Sequence, residues 1–460
     1  MSKWILIVFI FLFTLPISTA SEINSCTNIT QPGYYSLGGD IVGVSVGICI
    51  NIMSDDVIFD GKMHAIQGSG EYGIHAFSRS NVSVINVTVS GWKNGIGFDY
   101  VDGGRIENVN ASFNDFGIKL NWISNCTISN NIAMENEEYD IYFNRYCNNI
   151  IENNIGSGNR EIGFYNYPVT VKDESFSALF FCNADHSVVE DVIVSGSENR
   201  KNNGIFVFYT DVSIFRNVRS SENAVGIKFV SSSNNVIEDS QFSFNRYSGI
   251  EMVDQNSTLV INNTLDSNYN GIYCTLCRFN LFWGNVLKSN TGYGMFFGMN
   301  SHNNTVRGNQ ISMNSFGILF DNSSNNLVHS NKFDNARNFI ILNSTNVWNT
   351  TAGNFWSDYL GSDSNMDGIG DIPYFLDQNN IDFYPLVPGE LIPDNIDDVL
   401  EKIVSKYNPS FDWKTQTPSR QIVLQSVTNA VIAYFSTDDP TVKHEILGDV
   451  VQLVMLYFVL

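Results

Sequence analysis

Four residues of this 460-residue chain could do acid–base chemistry if they shared one face: His75, Asp99, Lys119 and Tyr142. Imidazole and phenol can move a proton, and a carboxylate and an ammonium can orient a sugar ring. The set therefore fits a polysaccharide lyase or hydrolase. It equally fits a solvated face crossed by ion pairs such as Lys228–Glu251. A second group is the run Asp363-Ser364-Asn365-Met366-Asp367-Gly368-Ile369-Gly370-Asp371. Oxygens of Asp363, Asn365, Asp367, Ile369 and Asp371, with Gly368 at the sharp turn, match the first part of a Ca²⁺ loop. Tyr374 stands where an EF-hand carries its bidentate Glu, which leaves Asp377 or Asp382 to complete the shell. Met295, Met299, His302 and Met313 offer soft donors for copper, although Met295 falls where a core residue is expected.

These groups are positioned by a repeat. A small residue, Ile, any residue and a large apolar residue recur at Gly95-Ile96-Gly97-Phe98, Gly117-Ile118-Lys119-Leu120, Gly226-Ile227-Lys228-Phe229, Gly249-Ile250-Glu251-Met252 and Gly317-Ile318-Leu319-Phe320. From Gly73 to Phe339 is 266 residues, and twelve intervals give a period of 22.2. A second apolar alternation follows each marker, as in Val84 to Val89 and Val236 to Phe242. Segments this short and alternating are strands. With no hairpin signals the chain must coil, so the fold class is all-β: a right-handed parallel β-helix solenoid. About 13 coils at ~4.8 Å each make a rod on the order of 60 Å long. The residue after each marker Ile then faces outward in one column: His75, Lys119, Tyr142, Lys228, Glu251 and Tyr273. Asp99, Asn121 and Asn144 form the next column.

There are 59 asparagines. Asn86, Asn108, Asn130, Asn153, Asn217, Asn262, Asn285, Asn309, Asn331 and Asn354 recur once per coil, and Asn223, Asn245, Asn268, Asn290, Asn314 and Asn335 form another series. Stacked amides at a tight turn explain both columns. Cys26–Cys49 and Cys126–Cys147 are separated by 23 and 21 residues, about one coil, which suits disulfides between neighbouring coils. Cys274 and Cys277 suit a local bridge or two packed thiols, and Cys182 is left over. Eleven Asn-x-Ser/Thr sequons include glycosylation candidates Asn28, Asn81, Asn110, Asn256, Asn303, Asn322, Asn343 and Asn349.

Residues 1–20 read as a signal peptide, with Lys3, an apolar run from Trp4 to Leu15, and cleavage near Ala20. No transmembrane span is expected in the mature chain. Residues 21–70 form an N-terminal cap and first coils, and 71–356 the β-helix. Residues 357–393 hold the Asp/Gly-rich loop and linker, and 394–460 a three-helix module. Its helices start at Asp394, Thr417-Pro418 and Asp439-Pro440, and self-association through them is one expected use. A formal net charge of −22 argues against nucleic acid as a partner.

The run Asn354-Phe355-Trp356-Ser357-Asp358-Tyr359, with Pro373-Tyr374 and Asp382-Phe383-Tyr384-Pro385-Leu386, resembles the end of the β-helix in NosD-like proteins. The opening Cys26…Gly33-Tyr34-Tyr35…Cys49…Asp60-Gly61 is similar to their start. The resemblance covers about residues 22–390. It implies a right-handed β-helix among exported, often archaeal, surface proteins, and a family role in periplasmic copper delivery to nitrous oxide reductase. The expected function is that of a secreted or cell-surface protein, non-catalytic, binding surface polysaccharide or envelope and surface-layer proteins.

Overall fold

The computed structural model describes residues 21–387, the helix Arg420–Ser436, and positions 404, 406–408 and 453. The expected signal peptide and the helix starts at Asp394, Thr417 and Asp439 lie outside the described residues. Each coil is built from short strands joined by corners, for example Tyr72–Phe77, Ser83–Ile85 and Thr88–Ser90, before Asn94–Asp99 begins the next. Marker strands stack in parallel with the apolar positions in register: Ile74, Ile96, Ile118 and Ile141, then Ile227, Ile250, Ile272, Met295 and Ile318. The product is a right-handed parallel β-helix of about 14 turns. The alternation expected as one strand, Val84 to Val89, is two strands broken at Asn86, whose φ of 53° turns the corner.

The asparagines form three ladders rather than two. Asn263 donates to the Ile237 carbonyl of the coil before, while its own N–H and amide donate to Asn285 Oδ1 of the coil after. Asn285, Asn309 and Asn331 repeat this, as do Asn245, Asn268, Asn290 and Asn314; Asn223 joins through its N–H to Asn245, and Asn354 and Asn335 end their ladders on Asp382 and Asn338. The third runs Asn280, Asn304, Asn326 and Asn346. One expected column is therefore corrected by a residue. Asn86, Asn108, Asn130, Asn153, Asn217 and Asn262 are the positive-φ corner residues, and the buried ladder amides are their neighbours, such as Asn131, Asn154 and Asn263.

The stack is not one continuous rod. An antiparallel pair, Asn154–Gly156 with Arg160–Tyr165, interrupts it, and the apolar core divides into two clusters there. The strands Ser175–Cys182 and Ile205–Phe208 are buried on both faces. Leu179, Phe181, Ile205 and Val207 point into the second segment's core, whereas Phe180, Phe206 and Phe208 cover the open end of the first. Burying that end removes apolar surface that a solenoid terminus would otherwise expose.

This junction corrects one disulfide. Cys26–Cys49 forms, but Cys147 pairs with Cys182, and Cys126 is a free, buried thiol. Cys126 is held facing inward beside Gly104, whereas Cys147 lies beyond the first segment's last marker strand, where the outward Cys182 meets it. Cys274 and Cys277 form the local bridge. At the far end, Trp348 and Trp356 plug the second core, and the Tyr374 ring stacks on Trp356 at 5.0 Å. Asp382 accepts from Trp356 Nε1 at 2.9 Å and from the Asn354 N–H at 2.7 Å. Burial pushes its carboxyl up, against these donors. The Trp-Ser-Asp-Tyr to Tyr-Pro-Leu stretch is thus a structural cap. The helix Arg420–Ser436 lays Val423 and Ala430 on an outer face built by Val236, Leu259, Ile261, Leu281 and Trp283.

Candidate functional site

The expected outward columns exist within the first segment. His75, Gly97, Lys119 and Tyr142 stand in one row of the marker sheet, and Phe77, Asp99, Asn121 and Asn144 in the next. The row does not run on unbroken to Lys228, Glu251 and Tyr273, because the junction intervenes and Phe206 precedes Lys228 in the second segment's register.

His75 and Asp99 meet: Nε2 lies 2.8 Å from Oδ2, and both side chains are nearly covered. The Tyr72 ring stacks on the imidazole at 4.0 Å, and its hydroxyl lies 3.4 Å from the same Asp99 oxygen. Asn121 donates to Asp99 Oδ1 at 2.6 Å. Gly97 makes this stack possible, since a Cβ there would sit 2.4 Å from the Tyr72 ring and 3.3 Å from the His75 ring. Burial acts to raise the Asp99 carboxyl. The His75 and Asn121 hydrogen bonds and the His75 and Lys119 charges outweigh it and leave the group below its usual range. Burial, with Asp99 and Glu71 nearby, pushes the Tyr72 phenol up to about 12. Both Asp99 oxygens are therefore committed, and the stacked Tyr72 ring closes one side of the imidazole.

Lys119 lies over the Phe116 ring at 5.1 Å, and Tyr142 meets Phe116 edge-on at 5.7 Å and Tyr139 at 5.6 Å. Lys119 is one strand and Tyr142 two strands from Gly97, so the four candidates make a pair and two flanking groups along one face. Sequence reasoning missed the partner rings Tyr72, Phe116 and Tyr139. Their signal was present, because each lies three residues before a named polar residue.

Among the described residues, no three His, Cys, Asp or Glu side chains gather closely enough to hold a metal ion. In the 363–371 loop the carboxylates turn to the loop's own amides: Asp363 accepts from Asp367 and Gly368 N–H, Asp367 from Ile369 N–H, and Asp371 from Ser364 N–H. Asn365 donates to Asp367. Hydrogen bonding from Ser364, with a further bond from Ser362, holds the Asp371 carboxyl below its usual range. The soft donors do not fit a copper site. Met295 is buried in the core, and Met299 and Met313 are exposed at different corners, after the strands Tyr293–Gly298 and Gln310–Ser312; His302 lies on a further stretch. Asn28, Asn81, Asn256, Asn303, Asn322 and Asn343 are exposed, and Asn110 and Asn349 half-buried.

Fold and face together define a parallel β-helix protein with an outer sheet of alternating polar and aromatic columns. The family described as "Periplasmic copper-binding protein (NosD)" matches residues 49–191 and 170–361, and the chain belongs to that family. It is 31% identical over 131 residues to the "Probable ABC transporter binding protein NosD" of Stutzerimonas stutzeri, covering 27% of this chain and 30% of that protein. The protein of the same name from Pseudomonas aeruginosa is 30% identical over 138 residues, covering 26% and 32%. The chain thus spans about a third of the length of these curated relatives. Among solved structures, the periplasmic alginate epimerase AlgG is 12% identical with a TM-score of 0.36, covering 70% of this chain and 78% of that one. The Azotobacter vinelandii mannuronan C-5 epimerase AlgE4 A-module is 13% identical with a TM-score of 0.30, covering 73% and 88%. Likeness at that level carries nothing about activity. Among the described residues no helix is long and apolar enough to cross a membrane.

Proposed function

We propose that the chain is an extracytoplasmic, non-catalytic β-helix protein that binds surface polysaccharide, or an envelope partner that displays it, through the outer face of its first segment. The observation that carries this reading is the pairing of each outward polar group with a ring: His75 with Tyr72, and Lys119 and Tyr142 with Phe116. A sugar ring offers an apolar face and a hydroxyl edge, and such a surface serves both. Commitment of both Asp99 oxygens supports binding over catalysis. The test is a glycan array and affinity purification from envelope extract, run on wild type, Lys119→Ala and Tyr142→Phe. Glycan retention that falls in the variants is expected; retention of no glycan and no envelope partner sinks the proposal. Turnover of a uronate or neutral polysaccharide that these variants lose would replace it with a lyase or hydrolase reading.

Two metal readings stay attached to it. Ca²⁺ at Asp363–Asp371 is supported by ligand spacing, and predicts a melting temperature that rises with Ca²⁺ and falls with chelator. Copper is supported by the family description, and metal analysis of the purified chain decides it.

A further inference from the structure

A second row of rings follows the corner beside this face. Tyr100 and Trp122 hold one corner position on successive coils, their rings nearly parallel at 11° with centroids 5.8 Å apart, while Phe77, from the Asp99 column, and Tyr146, one residue past the matching Arg145, meet them edge-on at 5.7 and 5.8 Å. Phe77, Tyr100 and Tyr146 are exposed, and Trp122 is half-buried with the Arg145 guanidinium 4.4 Å over it. None of these rings is part of either core.

The backbone makes the row unusual. Tyr100, Trp122 and Tyr146 have φ of 58°, 54° and 49°, the left-handed region that bulky side chains avoid and Asn or Gly enters readily. At the same corner in the second segment the chain uses Asn183, Ser231, Asp254 and Asn322, with Tyr209, Leu276 and Met299 interspersed. Phe113, Phe244 and Phe279 share the conformation but stand singly in their columns. Folding alone would favour Asn where Tyr100 and Trp122 stand on adjoining coils. Strained, exposed aromatics that contribute to no core point to a ligand.

We infer that Tyr100 and Trp122, flanked by Phe77 and Tyr146, are a stacking platform for a glycan chain running parallel to the solenoid axis. The one-coil ring spacing is close to the rise of one sugar in an extended chain. Two successive sugars would lay their C–H faces on Tyr100 and Trp122, the second taking the place of the Arg145 guanidinium, while Asn121 one column away and Lys119 two columns away meet their hydroxyls. This rests on the polysaccharide reading above and deepens it: the ligand is an extended chain of neutral sugar rings, bound along the axis.

The experiment is calorimetry and tryptophan fluorescence with cellohexaose, xylohexaose, mannohexaose and chitohexaose. Four full-length proteins are compared: wild type, Tyr100→Asn/Trp122→Asn, Trp122→Tyr and Lys119→Ala. For whichever hexaose wild type binds, the double Asn variant should lose at least tenfold in affinity while melting no lower than wild type. Trp122→Tyr should stay within threefold. A double variant that binds within threefold of wild type, or that melts well below it, overturns the inference. In either case weakened binding by Lys119→Ala leaves the broader reading standing. Wild type that binds none of the four hexaoses overturns the platform, while retention of other glycans on the array still supports the broader reading.

Discussion

Asp99 shows how a solvent-facing column becomes a fixed polar group. Tyr72 and Gly97 crowd the imidazole of His75 into one position, and His75 and Asn121 then saturate the carboxylate. Because the folded group sits below its unfolded value, its contribution is present above about pH 4 and is lost as pH falls through the folded value. Asp99→Asn should therefore melt below wild type at pH 7, and the gap should close toward pH 3 in thermal melts. Cys126 is the opposite case. Burial pushes its thiol up to about 11, so it packs as a small apolar group and should resist alkylation until the chain unfolds.

At the scale of elements, the ladders carry the corners. Asn285 accepts from the Asn263 N–H and amide and donates to the Val260 carbonyl and to Asn309 Oδ1. Asn285→Ala would strand several buried groups, and roughly 2–4 kcal/mol should be lost in urea unfolding. The docked helix makes a similar test. Val423 is fully buried against the solenoid strands, so Val423→Asp should cost about 2–4 kcal/mol or detach the helix, seen as new proteolysis near residues 404–420. Detachment would expose Leu281 and Trp283.

The whole molecule depends on its junction. Asp140 is fully buried there and accepts from Ser157 N–H at 2.7 Å and from the amides of Asn203, Asn136 and Asn202 at 2.6, 3.0 and 3.0 Å. Burial pushes its carboxyl up against those donors. Arg246 reaches Glu137 and Glu138, and Arg200 reaches Glu137, from the other segment. Cys147–Cys182 closes a 35-residue separation across the same seam. In the chain-entropy view that constraint is worth about 3–4 kcal/mol. Cys147→Ser/Cys182→Ser should therefore lower the melting temperature and open the 157–203 stretch to protease, with the two segments unfolding in separate steps.

Periodicity made the β-helix and the rows on its first face legible, because a coil repeats one spacing and every inward position must be apolar. The Ile74–Ile96–Ile118–Ile141 register and the Asp99–Asn121–Asn144 row followed from counting alone. Counting could not separate Asn130 from Asn131 or Asn262 from Asn263. Adjacent identical residues take opposite roles there, one turning the corner and one buried in the ladder. Nor could it find the partner of Cys147 or the rings Phe180, Phe206 and Phe208 that cover the first segment's open end. Each of those depends on where the antiparallel pair at 154–165 turns the second segment against the first, and burial of one segment's open end on another's outer face is a long-range contact that no local spacing encodes. The repeat determined the coil; the junction decided which surfaces remain free to bind.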